Sequence, residues 1–137
     1  MEKEFEVLNH TADVGIIAYG RDLKEAFANA AKGLFSLITD SNIAEIEYRD
    51  IEVTAPDQES LLVAWLNELI YIFDVDNILF RRFDISRLTN TKLKARSYGE
   101  KAEVARHQLK IGIKAATYHM LKIEKGKLNR VQVIFDI

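Results

Sequence analysis

The stretch Asp57-Gln-Glu-Ser-Leu-Leu-Val-Ala-Trp-Leu-Asn-Glu-Leu-Ile-Tyr-Ile-Phe73 decides how this chain is read. Pro56 stops whatever precedes it, Asp57 is a good N-cap, and Glu59 is favourably placed in a first turn. The spacing predicts a helix over about 58–74. From Leu61 to Phe73 only Asn67 and Glu68 are not apolar, so the helix is apolar nearly all round and reads as a buried spine. Its apolar run of 13 residues is too short and too polar to span a bilayer of about 30 Å, and no membrane role is suggested.

Upstream, Asp22-x-x-Glu25 reads as a capping box, in which each residue satisfies an orphan amide of the other. Leu23, Phe27, Ala30, Leu34 and Leu37 follow at helical spacing, giving an amphipathic helix over 23–39. Phe5–Val7, Val14–Gly20 and a long segment from Ile43 to Val53, with room for a bulge, read as strands. Downstream, Leu79–Leu88 and Leu93–Ser97 form a hairpin about Thr89-Asn90-Thr91. Residues 100–108 fit neither pattern. Ile111, Ile113, Ala115, Thr117, His119, Leu121 and Ile123 alternate strictly and predict one strand. A turn at Gly126 leads into the last strand, Arg130–Ile137. The sum is an α+β fold, two helices packed on a largely antiparallel sheet. At 137 residues with one proline and no linker, the chain is expected to be a single domain over residues 1–137.

A content of 48% hydrophobic and 29% charged residues is that of a globular protein. The absence of cysteine excludes disulfides, thiol nucleophiles and zinc knuckles, and fits a cytoplasmic protein. The start of the chain lacks the basic and apolar regions of a signal peptide. The net charge of −2 conceals a split. Residues 1–78 carry 5 Lys/Arg against 16 Asp/Glu, net −11, and residues 79–137 carry 14 against 5, net +9. Such a split marks either a basic face for a partner or acidic and basic strands interleaved in one sheet. Single charges spaced along strands favour the second, and tight direct nucleic-acid binding is not expected.

Phosphate-cradling glycine loops, HExxH and serine elbows are absent. His10, His107 and His119 could act as bases, but a lone histidine is more often a hydrogen-bonded structural residue. Two places stand out. His10-Thr-Ala-Asp13-Val-Gly15 puts a histidine, a hydroxyl and a carboxylate in a loop between strands, although Asp13 could equally cap a turn. At the other end, the carboxylate of Asp136 and the α-carboxylate of Ile137 are adjacent hard oxygens. They suit Mg²⁺ or Ca²⁺ with a third carboxylate from elsewhere, unless the chain merely stops there.

Four separated motifs, in order, then carry a resemblance. His10-Thr-Ala-Asp13-Val-Gly15, Glu59-Ser-Leu-Leu-Val-x-Trp65-Leu-Asn-Glu68-Leu, Lys114-Ala-x-Thr117-Tyr-His119 and Val133-Ile-Phe-Asp136-Ile137 resemble the archease family over about residues 7–137. Arg106-His107 sits where archeases carry an Arg-His pair, but Ala102-Glu103 stands where many members place an aspartate nearer to it. Ala116 stands where valine is commoner. The resemblance implies no catalytic residues of the chain's own. It implies instead an activator of the RtcB-type tRNA-splicing ligase, promoting guanylylation of the ligase histidine, and, for some members, help to tRNA methyltransferases. It implies a divalent metal ion, of Ca or Mg type, on Asp13, Asp136 and Ile137. His10, Arg106, His107, Lys114 and His119 are then partner-contacting or supporting residues. Two other readings stand beside it: a general chaperone, and a metal-dependent phosphohydrolase using Asp13, Asp136 and His10.

Overall fold

The computed structural model describes residues 3–9 and 13–137. Strands β1 (Phe5–Asn9) and β2 (Val14–Gly20) lead into helix α1 (Leu23–Ile38), then β3 (Glu47–Thr54) and helix α2 (Gln58–Asp76). The remainder is β4 (Ile78–Leu88), β5 (Lys92–Lys101), β6 (Ala115–Ala116), β7 (Lys122–Glu124) and β8 (Asn129–Asp136). The fold is α+β, and its antiparallel pairing is divided between two sheets. One runs β1-β2-β8-β6, with β7 also on β8, and the other β3-β5-β4. Among the described residues no helix is long and apolar enough to cross a membrane.

Helix α1 packs against β2 of the first sheet and β4 of the second, while α2 lies against α1, β3 and β6. Trp65, fully buried on α2, donates its indole N–H to the Phe27 carbonyl of α1 at 3.0 Å and meets Phe83 of β4 edge-on. The ring of Phe35 on α1 contacts Phe73, Phe80 and Phe83. Dense aromatic contact of this kind joins helices and sheets into one core. The all-round apolar character of α2 is explained by burial of Leu61, Leu62, Val63, Trp65, Leu66, Leu69, Ile70 and Ile72, although Tyr71 faces out.

Both helix starts are as the sequence predicts. Asp22 accepts the Glu25 amide and Asp57 the Ser60 amide, each at 2.8 Å. The capping box is not reciprocal: Glu25 accepts the amide of Arg21 rather than that of Asp22. Helix α2 ends at Asn77 in the left-handed region, φ 59°, with its amide on Phe73.

Three expectations are corrected. The strand expected from Ile43 begins at Glu47; Ala44 and Ile46 direct their amides to the Glu100 carboxylate and the Gly99 carbonyl. The bulge expected there is absent from the β3–β5 register; the irregularities lie in β4, between Phe80 and Arg82 and between Ile85 and Arg87. The alternating run from Ile111 to Ile123 is not one strand but β6 and β7, both paired with β8. A turn at 117–121 separates them, in which the Thr117 hydroxyl accepts the His119 amide and Met120 adopts φ 54°. Period two survives because extended chain need not sit in a ladder.

The charge split is an interleaving of strands. Arg96 of β5 binds Asp50 of β3 through two hydrogen bonds, at 2.7 and 3.2 Å, and Lys92 and Lys94 meet Glu52 at 3.4 and 3.5 Å.

Gly99 permits the closest approach in this sheet. A Cβ there would lie 1.8 Å from the backbone oxygen of Leu79, so β4 would have to move away. Gly99→Ala is expected to cost about 3 kcal/mol, the upper end of overpacking losses, as read by urea unfolding. A change below about 0.5 kcal/mol would show that β4 yields freely.

Candidate metal centre at the end of the first sheet

Strand β8 lies at the middle of its sheet, and its register with β2 ends at Val14 opposite Phe135. One further step along that register, past its last pair, would bring Asp13 opposite Asp136. Val14, Ile16, Ala18, Val131, Val133 and Phe135 alternate onto the core face of the ladder. By the same alternation Asp13 and Asp136 belong to the other face. Asp13 is half-buried, Asp136 is exposed, and Ile137 is 47% exposed. On the other side of β8, Ala115 pairs with Asp136, and the Lys114 amide donates to the Asp136 carbonyl at 2.8 Å. The end of β8 therefore lies beside the segment that leads into β6, with an exposed Lys114 next to it.

No described residue hydrogen-bonds or ion-pairs with either carboxylate. Among the described residues no group of three or more His, Cys, Asp or Glu side chains gathers to hold a metal ion. The third donor expected from the sequence, the Ile137 carboxyl group, is not a side chain. Such an all-oxygen set fits a hard divalent cation rather than a soft one.

The remaining expected residues are distributed as follows. His10 lies outside the described residues. Lys114 adjoins Asp136 through its backbone. His119 is exposed in the turn that follows β6. That turn is pinned to β8, with the Thr117 hydroxyl donating to the Ile134 carbonyl at 2.8 Å and Gln132 donating to the Met120 carbonyl at 2.9 Å. Arg106 and His107 belong to a separate cluster. The His107 ring is buried: Nδ1 accepts the Glu103 amide at 3.0 Å, so Nε2 carries the proton and faces Glu100 Oε2 at 3.0 Å. Arg106 binds Glu100 Oε1 at 2.6 Å, with its side chain 47% exposed.

Glu100, itself only 3% exposed, is the residue that sequence reasoning missed. Its parity on β5 puts it with Tyr98 and Arg96 on the outer face, where Ala44 and the returning 102–107 segment close over it. Its carboxyl is held below the usual carboxylate range by the Ala44 amide first, then by His107 and Arg106, against the opposing effect of burial. Asn67 of α2, also missed, accepts the Ala116 amide at 2.7 Å and so fixes β6 beside the site.

The family model of the Archease protein family (MTH1598/TM1083) matches residues 5–137. The chain is 40% identical to the protein archease of Methanosarcina mazei, covering 98% of this chain and 97% of that one. It is 44% identical to that of Pyrococcus abyssi, covering 90% and 89%. A solution structure of Methanobacterium thermoautotrophicum protein 1598 superposes with a TM-score of 0.82 at 36% identity, covering 98% and 99%. A Thermotoga maritima crystal structure, described as an archease and possible chaperone, shares the fold with a TM-score of 0.66 at 24% identity, covering 100% and 98%.

Proposed function

The chain belongs to the archease family, and from that premise we propose that it is a protein cofactor of an RtcB-type tRNA-splicing ligase. It promotes guanylylation of the ligase and hence multiple turnover, and it performs no chemistry of its own. The observation that supports this reading is the β2–β8 register, which ends at Val14 opposite Phe135 and, continued by one step, would bring Asp13 opposite Asp136, with neither aspartate paired to a described residue. Asp13, Asp136 and the Ile137 carboxylate would hold a Ca²⁺ or Mg²⁺ ion. When bound, such an ion supplies positive charge that polarises phosphate oxygens. The protein's part is positional: Asp136 is held on the β6 side, by its pairing with Ala115 and by the Lys114 amide on its carbonyl. A hydrolase would need a placed base as well. Of the described histidines, His107 is engaged by Glu100 and Glu103, and His119 lies in an exposed turn.

The test is multiple-turnover ligation of a 3′-phosphate RNA by the cognate ligase with GTP, with and without this protein. The expected result is turnover well beyond one ligation per ligase only when the protein is present. An unchanged turnover overturns the proposal. Equal suppression of aggregation of unrelated proteins would favour a general chaperone; nucleotide hydrolysis by the pure protein would favour a phosphohydrolase.

Asp13→Ala is expected to leave unfolding free energy within about 0.5 kcal/mol, since it opens no core cavity. Ligase turnover and calorimetric Ca²⁺ or Mg²⁺ affinity should each fall at least roughly ten-fold, through loss of a charged ligand. Normal activation by a folded variant would remove Asp13 from the site.

A further inference from the structure

The solvent face of the second sheet has a chemistry that the metal centre does not use. Its rows run across β3, β5 and β4, and one of them is Tyr48, Tyr98 and Arg82. The Tyr48 and Tyr98 rings lie 6.1 Å apart at 52°; the Arg82 guanidinium sits 3.8 Å from the Tyr98 centroid, and that of Arg96 4.0 Å from the Tyr48 centroid. Tyr48 is 49% exposed, and both helices lie on the opposite, core-facing side. Tyrosine rings and guanidinium planes are the surfaces on which unstacked bases settle, and an antiparallel sheet displays them in register.

The charges specify the kind of binding. Arg96 is taken up by Asp50, and Arg82 by Glu45 at 2.9 Å and Asp84 at 3.3 Å, so few cations are left for phosphates. A duplex, recognised through its backbone, has little to hold here. We propose that this face binds single-stranded RNA through base stacking on Tyr48, Tyr98 and the arginines stacked on them, with a small phosphate contribution. The inference stands apart from the ligase reading, since it uses none of the residues of the metal centre. It is compatible with weak overall RNA affinity, because two stacked bases, each worth roughly 5- to 100-fold, give binding between about 100 micromolar and tens of millimolar.

Titration of the isotope-labelled protein with a six-nucleotide single-stranded RNA, followed by amide resonances, tests it. Shifts are expected to cluster at residues 47–50 and 95–99. The apparent affinity should fall roughly 5- to 100-fold in Tyr48→Ala or Tyr98→Ala. An abasic strand of equal length should bind as poorly as those variants do. Salt dependence should be shallow, corresponding to about one or two phosphates. The wild-type shift map stands even where a variant folds poorly. No shifts at about 5 mM nucleotide, or shifts confined to another surface, overturn the proposal. So does equal binding of the abasic strand, which would make the phosphates the ligand. Loss of ligase stimulation in Tyr48→Ala without any RNA binding would overturn it too, and would assign the face to a protein partner.

Discussion

Glu100→Ala is expected to lower stability at neutral pH by about 3–5 kcal/mol, the range for breaking a buried charged network on one side. The carboxylate accepts the Ala44 amide at 2.6 Å, faces His107 at 3.0 Å and pairs with Arg106 at 2.6 Å. Alanine leaves the part-buried Ala44 amide and the buried Nε2–H of His107 without partners and loosens the 102–107 segment. Its pH dependence follows from direction. The folded Glu100 carboxyl titrates below its ordinary value of 4.5. Its contribution is therefore complete above about pH 4.5 and is lost as pH falls through the folded value. Urea unfolding at pH 7 and pH 3 should show the gap between parent and variant narrowing in acid. A gap that is constant, or wider in acid, would show that shape rather than charge holds the cluster.

A short peptide added after Ile137 is expected to leave the fold intact and to reduce divalent-cation affinity and ligase turnover by at least roughly ten-fold. Extension turns the terminal carboxylate into a neutral amide, so the site loses a full negative charge and keeps one weaker carbonyl oxygen. Strand β8 ends at Asp136, and its buried residues Val131, Val133 and Phe135 are untouched. The same peptide placed before Met1 should be tolerated, since Met1–Glu4 precede the first strand. Calorimetric titration of Ca²⁺ or Mg²⁺ into both proteins, beside the ligation assay, decides the matter. Equal affinities would remove the terminus from the metal centre.

Much of this was legible in the sequence where a local rule had a single winner. Asp22 and Asp57 announced their helices because no other residue nearby could accept the first free amides. The charge split foretold paired strands because Asp50 and Glu52 come from the acidic half, and Lys92, Lys94 and Arg96 from the basic one. What stayed hidden depended on pairing at a distance. From Ile111 to Ile123 the side chains alternate whether or not a neighbour strand is present, and only the limited pairing on β8 decides where β6 and β7 end. Glu100 looked like a surface residue of β5 because its burial comes from chain that returns over it. Asp13 and Asp136 could each be noticed alone, but the proposal that they meet needs the β2–β8 register, which ends at Val14 opposite Phe135.

The place of β8 has a kinetic consequence. It pairs with β2, β6 and β7, and it follows all three in the sequence. As the chain is synthesised, β1, β2 and α1 emerge early, yet β2 must wait for more than a hundred further residues before its second edge is closed. That loop closure is entropically costly, so the first sheet should form late and the β4–β5 hairpin, built from near neighbours, early. Pulse-labelled hydrogen exchange during refolding should protect amides of β4 and β5 before those of β2. In the interval the open edge of β2, with Ile16, Ile17 and Ala18 uncovered, is the segment most prone to aggregate.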